Sequence, residues 1–136
     1  MLGVVIAVSA CTDALPCTNC PPVDGTYAVS WPDAGTPDPV CPVPRVATVT
    51  LAQRNAQVTS ELEGVVIAGT YYDSYDLIMS GTQDRVTYRL RALVIPTGTS
   101  VDGGIELRGN LTARTFPDMG DPCESAETFT AQRTSR

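Results

Sequence analysis

The chain has no histidine and no lysine, and only one tryptophan and two phenylalanines among 136 residues. Each absence removes chemistry. Without histidine there is no Ser-His-Asp triad, no Cys-His pair and no imidazole ligand for a metal. Without lysine there is no Schiff base. All nine cations are arginine, set against 15 acids, for a net charge of −6. A chain this acidic has no general attraction for phosphate backbones, so nucleic acid is not an expected partner. Long apolar runs are also missing. A bilayer-spanning helix needs roughly 20 apolar residues, and the apolar segment at the start covers only residues 1–10. No segment sustains a 3.6-residue period. The expectation is a non-enzymatic protein without a cofactor.

What is present points to one domain. The length suits a single core, and 43% apolar residues with mean hydropathy +0.01 are too hydrophobic for a disordered chain. Residues 1–10, MLGVVIAVSA, have the length of the apolar region of an export signal. They end in Val8-Ser9-Ala10-Cys11. This resembles the lipobox of bacterial lipoproteins: an aliphatic residue, two small residues and a cysteine. No positive residue precedes it, unlike the usual signal. The resemblance implies cleavage before Cys11, acylation of its thiol and amino group, and attachment to a membrane through that lipid. Several acyl chains on one residue give a stable anchor. Thr12 stands where that family's common retention signal has Asp, which suggests the outer membrane of a bacterial cell envelope. Residues 11–23 then read as the lipidated cysteine and a polar, Pro-containing tether. Residues 24–136 form the folded domain.

Cysteine parity agrees. There are five, at 11, 17, 20, 41 and 123. If Cys11 carries lipid, four remain for two disulfides, with three connectivities open. The expected pairing is Cys41–Cys123 with a local Cys17–Cys20 ring. Cys17-Thr18-Asn19-Cys20 also matches CxxC. A redox site would place a helix at the motif, and Pro21-Pro22 opposes one. A zinc site would need a second ligand pair.

The remainder alternates with period two. Arg85 to Ala92 sets Val86, Tyr88, Leu90 and Ala92 on one face, with Arg85, Thr87, Arg89 and Arg91 opposite. Residues 105–114 repeat the device: Arg108 and Arg114 share the polar face with Glu106. Strand signals also run from Asp24 to Trp31, from Val46 to Leu62 as a hairpin, at Val65–Ala68, at Tyr75–Ser80 and at Glu127–Arg133. Five prolines make residues 32–45 a loop. About seven or eight short strands with tight turns predict an all-β antiparallel meander, closed as a small barrel, with a β-sandwich as the alternative. Gly25-Thr26-Tyr27 and Gly69-Thr70-Tyr71 resemble strand openings in lipocalin- and avidin-like barrels.

Four constellations are candidate sites. Tyr71, Tyr72, Asp73, Tyr75 and Asp76 could grip a sugar or cation, or simply build a turn with packed rings. Trp31 would line a cavity mouth or plug the core. Asp118, Asp121 and Glu124 form an acidic loop around Cys123. The arginine stripe could take an anion, or pair across strands with Glu106 and other acids. A hydrolytic carboxylate pair would need two acids facing one cleft. The expected function is an anchored module that binds a small molecule or an envelope protein. The alternative is a structural or interaction protein without a pocket.

Overall fold

Residues 14–98, 104–117 and 120–136 are described by the computed structural model. Cys11, Asp118 and the Asp102-Gly103 turn lie outside them. The alternating segments become eight strands: β1 Gly25–Ser30, β2 Thr48–Arg54, β3 Gln57–Leu62, β4 Val65–Tyr71, β5 Asp76–Gln83, β6 Val86–Pro96, β7 Ile105–Thr115 and β8 Cys123–Ser135. Each pairs antiparallel with the next, and β8 returns to β1 through Tyr27↔Arg133 and Val29↔Ala131, closing a barrel. The described residues contain no helix. The barrel, not the sandwich, is the outcome.

Local chemistry sets the turns. Glu63-Gly64 and Asp84-Arg85 both have positive φ at the two central positions, the geometry that matches strand twist in two-residue hairpins. Asn55 takes the same region between β2 and β3. The sequence places a strand end at Gly81-Thr82, whereas β5 runs through both to Gln83. Gly81 does not break the strand because it faces inward opposite Tyr88.

Three inward glycines let so small a barrel close over a filled core. Gly69 lies opposite Met79, Gly81 opposite Tyr88, and Gly109 opposite Phe129. A Cβ at each would collide with backbone of the neighbouring strand: Ile78, Val66 and Arg91 respectively. The missing side chains permit close strand approach and leave room for the large residue across the pair. Tyr27, Leu51, Val58, Ile67, Tyr71, Leu77 and Leu107 are among the fully buried side chains.

Disulfides join Cys17 to Cys20 and Cys41 to Cys123, with Cα separations of 5.9 and 6.0 Å. The second spans 82 residues and ties the Pro-rich loop to the first residue of β8. In the chain-entropy account that closure contributes about 4–5 kcal/mol, and the short ring about 2 kcal/mol.

The expected tether needs correction over its described part. Pro16 bridges Tyr72, Cys17 is buried, and Val23 is fully buried. Residues 15–23 are therefore a strap lying across one end of the barrel, not free chain.

Gly109→Ala is expected to destabilise the fold by about 2–4 kcal/mol, because the clash is with backbone that cannot rotate away. Gly35→Ala, where a Cβ meets nothing within 4 Å, is the matched control and should change stability by under about 0.5 kcal/mol. Urea unfolding midpoints of the two variants check this.

Candidate functional site

A closed barrel leaves three places for function: its interior, its two ends and its outer wall. The interior is taken up by side chains. The gap between Trp31, Val49, Leu90, Leu111 and Phe129 amounts to about 10 Å³. A ligand pocket usually measures roughly 300–1,000 Å³. Trp31 fills rather than frames this region. It is half-buried, its ring lies 5.7 Å from that of Phe129, and its Nε1 donates to the Val46 carbonyl at 3.0 Å.

Both ends are sealed, and β8 supplies the key charge at each. Its inward phase carries Glu127, Phe129, Ala131 and Arg133, so opposite charges stand at the two ends of an apolar row. At one end Arg45, from the Pro-rich loop, donates through Nε to both carboxylate oxygens of Glu127, at 2.8 and 3.0 Å. Ser125 donates to the Cys41 carbonyl beside it, and Val43 is buried there. At the other end Arg133 donates to the carbonyls of Pro22 and Asp24, at 2.9 and 3.2 Å. Tyr27 donates to the Val23 carbonyl at 2.7 Å, and Tyr71 to that of Pro21 at 3.1 Å. Gln53 accepts from the Val23 amide at 2.8 Å. The strap is thus fixed along its length by partners from four different strands.

The tyrosine–aspartate cluster serves the same end. Tyr71 is buried and its carbonyl accepts from the Cys17 amide at 2.8 Å. Asp73 exchanges bonds with Leu15: its amide donates to the Leu15 carbonyl at 2.8 Å, and its Oδ1 accepts from the Leu15 amide at 3.3 Å. Asp76 accepts from Ser74, and Tyr72 donates its amide to the Asp76 carbonyl. Tyr75 is held at φ 71°, with its ring 6.4 Å from that of Tyr71. A bulky residue in that region costs of order 1–2 kcal/mol. The structure brings these five residues together around the chain's own strap. Beside it runs a groove of about 570 Å³ lined by the Cys17–Cys20 bridge, Thr18, Asp24, Gln53, Asn55 and Arg136. Arg136 and Asp24 pair across it at 3.4 Å. The CxxC pair is a disulfide within this strap, leading through Pro21-Pro22 into β1.

On the outer wall the arginines stand on adjacent β6 and β7. Arg108 pairs with Glu106, two residues away on its own strand. Arg89 faces Ser80 and Thr112 across the strands, and Arg91 faces Ile78 and Asn110. The expected cross-strand acids are therefore absent from the registers of Arg89 and Arg91. Arg114 lies over the Phe116 ring at 4.8 Å. Asp121 and Glu124 are exposed near Cys123.

No protein-family model, curated protein or solved structure matches the chain.

Sequence reasoning missed Glu127 and Arg133 as the residues that hold the seals. The signal was present: both lie on the same alternation phase as Phe129 and Ala131. A charge on the apolar phase of a terminal strand turn asks for a covering partner.

Burial pushes the Tyr27 phenol up to about 12, partly offset by the Arg133 guanidinium, and burial raises Tyr71 as well. A folded-state value above the unfolded value of 10.0 stabilises the fold fully below that pH and is lost on ionisation. The unfolding midpoint is expected to stay flat to about pH 9.5 and to fall between pH 10 and 12. Tyr27→Phe should flatten that fall. At pH 7, Tyr71→Phe should cost about 1 kcal/mol and speed proteolysis within residues 15–23.

Proposed function

We propose that this is an exported, lipid-anchored protein of the bacterial cell envelope, held through Cys11, whose closed barrel acts as an interaction module through its outer surface. The observation that carries the anchor is cysteine use. Cys17, Cys20, Cys41 and Cys123 are consumed in two disulfides, which leaves Cys11 as the odd thiol, directly after Val8-Ser9-Ala10. Structural disulfides belong to oxidising compartments, and an unpaired thiol there is otherwise a liability.

The filled interior supports the second half of the reading. A small apolar ligand would have to displace Trp31 and Phe129 to enter. A partner engaging the outer wall requires no such rearrangement. This favours docking over small-molecule carriage, and over hydrolysis by paired carboxylates. Glu127 is engaged by Arg45. Asp73 and Asp76 are occupied in holding their turn and the strap.

The test is metabolic labelling. The full-length gene is expressed in a bacterial host with radiolabelled palmitate, beside a Cys11→Ala variant. The parent is expected to carry label and to sediment with membranes. The variant is expected to lose the label and the association. An unlabelled parent overturns the anchor. Saturable binding of an apolar fluorescent dye by the purified parent overturns the closed-interior part.

A further inference from the structure

The outer face of β6 and β7 carries one arginine in each of four successive outward rows. The rows pair Leu93 with Arg108, Arg91 with Asn110, Arg89 with Thr112, and Thr87 with Arg114. Successive rows are two residues apart, so the guanidiniums climb the wall in steps of about 7 Å, over about 20 Å. Glu106 is the one acid within the two strands, and it stands in the row beyond Arg108. Glu124, at the other extreme, lies opposite Arg114 on β8. Between these ends Arg89 and Arg91 are exposed and directly face only neutral residues, Ser80 and Thr112 for the first and Ile78 and Asn110 for the second, while Asp76 on β5 stands beside Leu93, diagonal to Arg91.

Such a ladder is unexpected on a chain of net charge −6. Among the described residues most acids lie at the barrel ends and in the loops, so the charge is segregated. Four like charges on one ribbon repel each other, a cost that a solvated wall of threonines would avoid. A bound polyanion would remove that repulsion.

We infer that the β6–β7 wall is a docking face for an extended acidic polysaccharide, whose carboxylates engage Arg108, Arg91, Arg89 and Arg114 in turn. The flanks identify the class. Ser80, the Thr82–Thr87 hydroxyl pair at 2.8 Å, Asn110, Thr112, Thr128 and Thr130 surround the ladder with hydroxyls and an amide. These suit sugar hydroxyls. The four rows hold no aromatic ring, and the one beside them, Phe116, is covered by Arg114 at the ladder's end, so there is no series of rings on which successive bases could stack, as single-stranded nucleic acid requires. Guanidinium forks match carboxylates in bidentate geometry. The inference rests on the reading that the barrel works through its outer surface.

The test uses the purified full chain with its disulfides intact and polygalacturonate as the probe. Retention on the immobilised polymer at low salt is expected, with none on neutral dextran. Arg89→Gln/Arg91→Gln should weaken binding at least about tenfold and reduce the slope of log affinity against log salt by about two. Arg54→Gln, an exposed arginine on β2, should leave binding within about twofold. Unchanged melting temperatures establish that each variant is folded. The inference is overturned by no retention of the parent, by equal retention of the double variant, or by tighter binding of a single-stranded oligonucleotide or of anionic-lipid vesicles. A palmitate-labelled parent that ignores the polymer ends this inference and leaves the anchor standing.

Discussion

A closed barrel has no free strand edges, but it has two open ends, and here a charge on β8 governs each of them. Glu127 and Arg133 point into an apolar interior from opposite ends of one strand. A charge so placed is costly unless it is hydrogen-bonded. Glu127 is met by Arg45, and Arg133 by the carbonyls of Pro22 and Asp24. The covering segments have little regular structure, so neither would hold its place by its own backbone pattern. Each is fixed by the charge beneath it; Cys41–Cys123 then ties the loop to β8, while Cys17–Cys20 closes a ring within the strap itself.

Sealing both ends determines where function can reside. The inward glycines allow close strand approach, and Met79, Tyr88 and Phe129 occupy the space opposite them. The gap of about 10 Å³ beside Trp31 and Phe129 is at the lower limit of what one water needs. The filled interior leaves the groove beside the strap and the outer wall as the places open to a partner. Most outward positions of β1 to β4 are Thr, Ala, Ser or Val, whereas β6 and β7 gather four of the nine arginines. The tyrosines and aspartates that might have gripped a sugar instead grip residues 15–17 of the same chain.

What was legible in the sequence follows from the range of the interactions involved. The strict alternation of residues 85–92 and 105–114 marks β6 and β7, because one buried face imposes period two regardless of distant partners. The barrel follows from eight such segments joined by tight turns. The strap was not legible. Leu15 to Val23 has the composition of a tether, and its docking depends on Tyr27, Gln53, Tyr71 and Arg133, residues scattered over the whole chain. Val23 is the one apolar hint, and a lone valine between Pro22 and Asp24 reads equally well as loop. The five residues around Asp73 were recognised as a cluster, but sequence could not show that their partner was internal. The expected pairing of the arginines with acids holds for Arg108 with Glu106, along one strand, and fails at Arg89 and Arg91, because register, not proximity in sequence, decides what faces them.

The docked strap also changes what an anchor at Cys11 would mean. A free tether from residue 11 to residue 23 would let the barrel roam tens of ångströms from the bilayer. With Leu15 fixed to Asp73, only four residue steps separate an acylated Cys11 from the barrel end, a reach of about 14 Å. The sealed end bearing Asn55, Ser74 and Arg136 would then face the lipid. The strands, and the arginine ladder with them, would rise away from the membrane at the barrel's tilt. In that posture most of the guanidinium row is beyond reach of lipid headgroups, and a polymer lying outside the bilayer meets it along its length. The strap that closes the barrel is thus also what would orient it.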